Sequence, residues 1–218
     1  MTQPLALLRE RLFAAVLSDC LDATGHRHQA LHARIRPLDD TRVLCGRART
    51  ALCMDVYDAP EGENPYALEI RLLDDLQPDE VPVFACGYSG RIAPWGELLS
   101  TAARARGAAG AVMDGLTRDI RAIREMRFPV FAGGIGPLDS RGRGKVVAID
   151  VPVEVAGARV CPGDLVFGDA DGVVVVPRDI EDQVIAAALA KVAGENATRE
   201  ALARGEKLAE VFKRHGIL

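Results

Sequence analysis

The order of apolar runs in the middle of the chain constrains the fold most. Three runs of strand length, "VPVFACG" (81–87), "GAVMDG" (110–115) and "FPVFAGG" (128–134), are separated by segments of helical character. A strand, helix, strand succession requires a crossover connection, so the three strands are predicted to run parallel in one sheet. Their carboxyl ends then lie at one edge, where open α/β sheets bind ligands.

The N-terminal part is predicted to add helices and a long strand. Apolar residues recur at helical spacing over residues 5–16, and Ser18 is placed to cap a second short helix that ends at Gly25. Residues 41–55 are rich in strand formers and predict a strand with an irregularity at Gly46. The fold therefore opens with two helices.

The rest of the chain supplies a helix, antiparallel strands and a tail. Residues 64–65, Asn-Pro, are a good start for a helix over 66–76. Residues 144–177 alternate strand-like runs with Gly, Pro and Asp turns, which is typical of antiparallel β-structure. The interpretation is a single α/β domain over residues 1–193, followed by a more polar tail over residues 194–218.

Composition excludes several function classes. With 218 residues, 49% of them apolar, the chain can bury one substantial core. The net charge of -4 and the scattered basic residues argue against a nucleic-acid surface, and no segment reaches membrane-spanning length. The N-terminus lacks a signal-peptide pattern. The odd number of cysteines and the absence of a C-x-x-C pair argue against a disulfide framework or a zinc site, so a reducing cytoplasm is expected: Cys20, Cys45, Cys53, Cys86 and Cys161.

Charged residues gather where two of the parallel strands end. A helix is predicted to start near Gly96, and its free N–H groups favour an anion. Arg118 suits a carboxylate, while Glu97 and Asp119 suit a hard divalent cation. An alternative interpretation is that Glu97 only favours the helix dipole and that Arg118 and Asp119 form a surface pair or cap the next helix.

Other chemistries have less support. A Schiff-base aldolase needs a desolvated lysine, and all four lysines lie in a Gly/Arg-rich turn or the polar tail: Lys145, Lys191, Lys207 and Lys213. The histidines of "GHRHQALH" (25–32) have no evident third metal ligand. The "GDADG" run (168–172) lacks the closing glutamate of a calcium loop and predicts a hairpin turn.

The stretch from Pro94 to Gly134, with an acid at Glu97 and then Arg118-Asp119 after twenty intervening residues, resembles the RraA-like family. This family includes class II 4-hydroxy-4-methyl-2-oxoglutarate aldolases and the protein regulator of ribonuclease E activity. "SDCLDATG" (18–25) and "CPGDLVFGDADGVVVVP" (161–177) also resemble family segments. Many members have Asp at the first acid, so the longer arm of Glu97 is a departure.

The resemblance implies a swivelling β/β/α domain, with N-terminal helices and a C-terminal helical extension, assembled as a homotrimer or a dimer of trimers. It implies that Asp119 binds Mg²⁺ or Mn²⁺, that Arg118 contacts the pyruvyl group, and that amides near Gly96, Leu98 and Leu99 hold the substrate carboxylate. Glu97 would orient metal-bound water. The tail "ENATREALARG" (195–205) resembles the family's extension, which implies that Glu195 of a neighbouring subunit also acts through water; a solvated helix-start acid is the alternative.

The implied activity is metal-dependent cleavage of 4-hydroxy-4-methyl-2-oxoglutarate, or of a related 2-oxo acid, to pyruvate, with oxaloacetate decarboxylation as a second activity. The partner is then a small 2-oxo acid, with no nucleic acid and no membrane. A different class remains open, namely a non-catalytic regulator that binds a ribonuclease complex. Such regulators tend to lack the extended tail.

Overall fold

A computed structural model describes residues 3–216 and shows a mixed α/β fold in which one sheet curls into a nearly closed barrel. The helices are α1 (Leu5–Arg11), α2 (Ala14–Ala23), α3 (Ala67–Asp74), α4 (Glu97–Ala105), α5 (Ile120–Glu125), α6 (Glu181–Ala203) and α7 (Leu208–His215). The strands are β1 (Arg36–Pro37), β2 (Leu44–Asp55), β3 (Glu80–Ala85), β4 (Ala111–Thr117), β5 (Val130–Ile135), β6 (Gly144–Ile149), β7 (Val153–Val155), β8 (Ala158–Val160), β9 (Leu165–Asp169) and β10 (Gly172–Val176).

The central strands are parallel, as the order of apolar runs predicts. The sheet order is β1-β5-β4-β3-β2-β9-β10, with β6 also paired to β2, and β2 through β5 run parallel. Strands β9 and β10 form an antiparallel hairpin at the "GDADG" run, which confirms the turn prediction there. The two ends of the sheet, β1 and β10, lie close together. Arg36 of β1 donates a hydrogen bond from its guanidinium to the carbonyl of Asp171, in the turn before β10, at 2.8 Å.

Three apolar clusters explain why β3 and β4 are buried on both faces. One cluster lies between the sheet and helices α3, α4 and α5, and it contains Phe84 and Trp95. A second fills the barrel interior around Phe131, and a third packs α1, α2 and α6 against β9 and β10 around Phe167. Each fully buried side chain of this size stabilises the fold by about 1.5–3 kcal/mol. Helices on one face and barrel interior on the other thus account for the uninterrupted apolar runs.

The predicted N-terminal helix is wrong in its boundaries. Helix α1 ends at Arg11, the backbone is extended at Leu12 and Phe13, and α2 begins at Ala14. Ser18 therefore lies inside α2 and caps nothing. The N–H of Ala14 instead donates to the Asp169 carboxylate at 2.7 Å. The residue that caps α2 comes from the end of β9, so no local pattern could reveal it.

The predicted irregularity at Gly46 is also wrong in its position. The pairing of β2 with β6 shifts register between Leu52 and Cys53, whereas Gly46 lies in a regular stretch paired with β9. Gly46 is required for another reason. A Cβ atom there would lie 2.3 Å from the carbonyl oxygen of Asp79, so a side chain would push the start of β3 away.

The C-terminal region is helical throughout its described part. Helix α6 runs without a break past Gly194 to Ala203, and α7 folds back on it with Val211 buried. The division at residues 193 and 194 stays a prediction, because no break in the backbone marks it. Among the helices between residues 3 and 216, none combines the length and apolar composition that a bilayer crossing requires.

Candidate active site

The candidate site lies where β3, β4 and β5 end. Two adjacent clefts open there, with volumes of about 330 Å³ and 440 Å³. Arg118 and Asp119 line both of them, and Gly96, Leu98 and Leu99 line the smaller one. The structure therefore brings residues from two separate strand ends together at one edge of the sheet.

Backbone contacts fix the start of α4 beside the end of β4. The carbonyl of Trp95 accepts hydrogen bonds from the N–H of Arg118 at 2.9 Å and from the Thr117 hydroxyl at 3.1 Å. The Trp95 ring is fully buried against Phe84, and its indole N–H donates to the Ser100 hydroxyl at 2.8 Å. These bonds set the distance between the helix start and the Arg-Asp pair.

Asp119 has a left-handed backbone, with φ 59° and ψ 30°. Aspartate tolerates this region better than most residues do. Asp119 is the N-cap residue of α5, as the alternative interpretation expected, but its side chain makes no capping hydrogen bond there. Its Oδ2 instead accepts the N–H of Glu97 at 3.2 Å. Gly96 makes this approach possible, since a Cβ atom there would lie 2.6 Å from the same oxygen.

Arg118 lies between two carboxylates. Its Nε is 3.8 Å from Oδ2 of Asp119, and its Nη1 is 3.3 Å from Oδ1 of Asp139. Asp139 belongs to the loop between β5 and β6, so the third parallel strand also contributes to the site. The guanidinium is held in place from two sides while it still faces the clefts.

The start of α4 offers free donors. In the described part of the chain, the N–H groups of Leu98 and Leu99 donate to no acceptor, as expected for the first helical turn. The Glu97 carboxylate accepts a bond from Thr101, one turn further along the helix, at 2.8 Å. Glu97 thus meets Asp119 through its backbone N–H rather than through its carboxylate.

Glu195 is not brought to the site within this chain. It lies on α6, where Arg199 is 3.7 Å from its carboxylate, and it lines neither cleft. The role given to Glu195 of a neighbouring subunit therefore stays a prediction.

Three residues of the site were missed by the sequence reasoning: Tyr66, Glu69 and Asp139. The Tyr66 hydroxyl donates to Oδ2 of Asp139 at 2.6 Å, and Glu69 lines the smaller cleft with only 7% of its surface exposed. Asp139 follows a parallel strand, so the rule that found Arg118 could have found it too. Glu69 shares the buried face of α3 with Leu72 and Leu73, and a glutamate at an apolar position was the available signal.

The folded protein shifts the pKa values of Glu69 and Asp139 in opposite directions. Burial raises the pKa of Glu69 to about 7, and the charge of Asp139 adds to this while Arg118 opposes it. Burial also disfavours ionisation of Asp139, but hydrogen bonds from Tyr66 and the backbone and the charge of Arg118 outweigh it, so the pKa of Asp139 is lowered. Burial and the bond to Asp139 raise the pKa of Tyr66 to about 12. Such divergent pairs are typical of acid–base sites.

Asp119 offers one carboxylate oxygen that could hold a metal ion. Between residues 3 and 216, no group of three His, Cys, Asp or Glu side chains is arranged to hold a metal ion, so an ion here would have fewer protein ligands than zinc usually takes. Oδ1 of Asp119 accepts no hydrogen bond from any described residue, and the side chain is 49% exposed. Mg²⁺ and Mn²⁺ suit such a site, because Mg²⁺ keeps several waters and needs only one or two carboxylates.

Comparison with known proteins places the chain in a family. The RraA-like family model, described as Aldolase/RraA, matches residues 14–175. A relative from Halalkalibacterium halodurans, provisionally named a 4-hydroxy-4-methyl-2-oxoglutarate aldolase, is 33% identical over 186 residues, which are 85% of this chain and 82% of the relative. The chain belongs to the RraA-like family.

Solved structures agree with this assignment. An uncharacterized protein from Pseudomonas syringae is 27% identical with a TM-score of 0.82, and 95% of each chain is covered. The Streptomyces coelicolor protein RraAS2, described as an unusual member of the RNase ES inhibitor RraA protein family, is 28% identical with a TM-score of 0.79 over 91% of this chain and 98% of that one. The fold expected from the resemblance is confirmed.

Proposed function

We propose that the protein is a divalent-metal-dependent aldolase that releases pyruvate from 4-hydroxy-4-methyl-2-oxoglutarate or a related 2-oxo acid, and that it also decarboxylates oxaloacetate. One observation carries this proposal: Arg118 and Asp119 share a cleft with the free N–H groups of Leu98 and Leu99. A fixed cation, an available carboxylate oxygen and two anion-binding donors match a 2-oxo acid and a divalent ion.

Each residue has a distinct part in this reaction. Asp119 would hold Mg²⁺ or Mn²⁺, with Glu97 and Glu195 of the neighbouring subunit orienting water. When bound, the ion supplies positive charge that stabilises an enolate. The amides of Leu98 and Leu99 bind the substrate carboxylate. Arg118, held by Asp119 and Asp139, stabilises the negative charge that develops when the C3–C4 bond breaks.

The proposed enzyme is an assembly of three or six chains. Leu98 is 79% exposed and Ile135 is 58% exposed, and both flank the clefts. Exposed apolar side chains beside a polar cleft favour cover by a neighbouring subunit. A homotrimer or a dimer of trimers would supply that cover. The five cysteines are unpaired, which fits a reducing compartment such as the cytoplasm.

The second candidate is a non-catalytic regulator that binds a ribonuclease complex. The similarity to the Streptomyces protein favours it, and that chain matches 91% of this one. The RNA-processing inhibitor RraA from Thermus thermophilis, in contrast, matches 92% of its own length but only 74% of this chain, as expected for regulators that lack the tail. The substrate-sized cleft with its free donors favours the enzyme.

The test measures pyruvate release from both substrates with Mg²⁺, Mn²⁺ or EDTA. We expect metal-dependent turnover that Asp119→Ala abolishes. Asp119→Asn, which tolerates the left-handed backbone, should lose at least about 100-fold because its amide is a poorer ligand. Asp22→Ala, an exposed change on α2, is the matched control. Full turnover in EDTA or in Asp119→Asn would refute the assignment, and stable co-elution of an inactive chain with a ribonuclease would support the regulator.

A further inference from the structure

Glu69 is a mostly buried acid whose carboxyl group receives no hydrogen bond from the described residues. Only 7% of its surface is exposed, no donor between residues 3 and 216 hydrogen-bonds its carboxyl group, and that group lines the cleft rather than the sealed core. Its neighbour Asp139 receives the Tyr66 hydroxyl and the Arg118 guanidinium instead. An acid on the buried face of a helix that opens only into a cleft is placed to contact whatever the cleft binds.

The open side of Glu69 faces the cleft that holds Arg118 and Asp119. This cleft, about 330 Å³, is also lined by Tyr66 and Ile70, from the start and body of α3, and by Ser140 from the β5–β6 loop. With the pyruvyl part of a substrate held by Arg118 and the α4 amides, the part beyond C3 extends into the remaining space. Tyr66 and Asp139 also line this cleft but are hydrogen-bonded to each other, so Glu69 is the acid whose carboxyl group can meet that distal half.

We propose that Glu69 is a catalytic residue, the general base that accepts the proton of the substrate's C4 hydroxyl during carbon–carbon cleavage. The proposal rests on the aldolase function above. The O–H bond breaks and its proton passes to the Glu69 carboxylate, while the oxygen electron pair forms the new carbonyl. The C3–C4 bond breaks, and its electron pair becomes the pyruvate enolate. Carbon C3 then takes a proton from water and Glu69 returns its proton to water, so atoms and charge balance.

Electrostatics agree with this role. A general base works best when its pKa lies near the working pH, and burial raises the pKa of Glu69 to about 7. Asp139 and Arg118 are the charged groups that act on it. The ionisable groups on other elements around α3 are engaged elsewhere: Glu97 with Thr101 in α4, and Lys145 of β6 with Glu63.

The role predicts a difference between two substrates. Cleavage of a 4-hydroxy-2-oxo acid requires removal of a hydroxyl proton, whereas decarboxylation of oxaloacetate breaks a bond to a carboxylate and removes none. Loss of a general base should therefore slow cleavage far more than decarboxylation. A residue that only supports the fold or the metal would affect both reactions together.

The experiment compares wild type, Glu69→Gln and the surface control Glu125→Gln with Mg²⁺ on both substrates, from pH 5 to pH 9. We expect Glu69→Gln to lower kcat for cleavage by about 10²–10⁴-fold and kcat for decarboxylation by less than about tenfold. Wild-type cleavage should rise with pH through an apparent pKa near 7, and this limb should be absent from the residual activity of Glu69→Gln.

Other results would overturn the proposal. Cleavage by Glu69→Gln within tenfold of wild type, or equal losses in both reactions, shows that Glu69 is not the base. A wild-type chain that cleaves no hydroxy acid but decarboxylates oxaloacetate also overturns it, while leaving the metal site supported. A wild-type chain inactive on both substrates refutes the proposed function itself. Unfolding curves at pH 8 establish that Glu69→Gln is folded.

Discussion

Stability against pH tests the buried state of Glu69 independently of any activity. Its pKa rises from an ordinary value of 4.5 to about 7 in the folded protein. Below pH 4.5 both folded and unfolded chains are protonated at this site. As the pH rises, the unfolded chain loses its proton first, so the free energy of unfolding falls until the folded chain ionises as well, near pH 7. The full loss is about 3 kcal/mol, of which about 2.5 kcal/mol falls between pH 5 and pH 8.

Glu69→Gln cannot ionise and escapes this loss. We therefore expect its unfolding free energy, relative to wild type, to increase by about 2–3 kcal/mol between pH 5 and pH 8. Trp95, the single tryptophan and fully buried, reports urea unfolding by fluorescence at one fixed protein concentration. Glu125→Gln should show no such change. An offset for Glu69→Gln that is the same at both pH values would show that this carboxyl is not perturbed and would refute the reasoning.

Two further substitutions test how the site is built. Gly96→Ala puts a Cβ atom 2.6 Å from the Asp119 carboxylate, so pyruvate release should fall at least about 100-fold. The control Gly90→Ala, whose Cβ would have no atom within 4 Å, should match wild type. Equal activities of the two variants would show that the close approach of Gly96 and Asp119 is unimportant. Ser100→Ala leaves the buried Trp95 indole N–H without its acceptor and should cost about 1–3 kcal/mol in urea unfolding, and an unchanged midpoint would contradict this.

Features that depend on the order of helices and strands along the chain could be predicted from the sequence. Features that depend on a contact with a residue far away in the chain could not. Parallel β3, β4 and β5 follow from the crossover rule, and the meeting of Gly96 with Arg118 and Asp119 follows from their shared edge. The break before α2 could not be predicted, because the capping carboxylate of Asp169 is 155 positions away. Glu69 could have been suspected from its apolar position on α3, but only the folded chain shows that it lines the cleft with Arg118 and Asp119.

The left-handed backbone at Asp119 explains why a cation and a carboxylate can be neighbours in sequence and still serve one site. In a continuing strand, successive side chains point to opposite faces, so Arg118 and Asp119 would be separated by the sheet. Strand β4 ends at Thr117, and the backbone turns at Asp119, so that the Arg118 Nε lies 3.8 Å from the Asp119 carboxylate. The missing side chain at Gly96 then allows α4 to bring its free N–H groups to the same point. The site therefore depends on two features of the backbone, the left-handed conformation of Asp119 and the absence of a side chain at Gly96. Together they allow Arg118 and Asp119 to act at the same point.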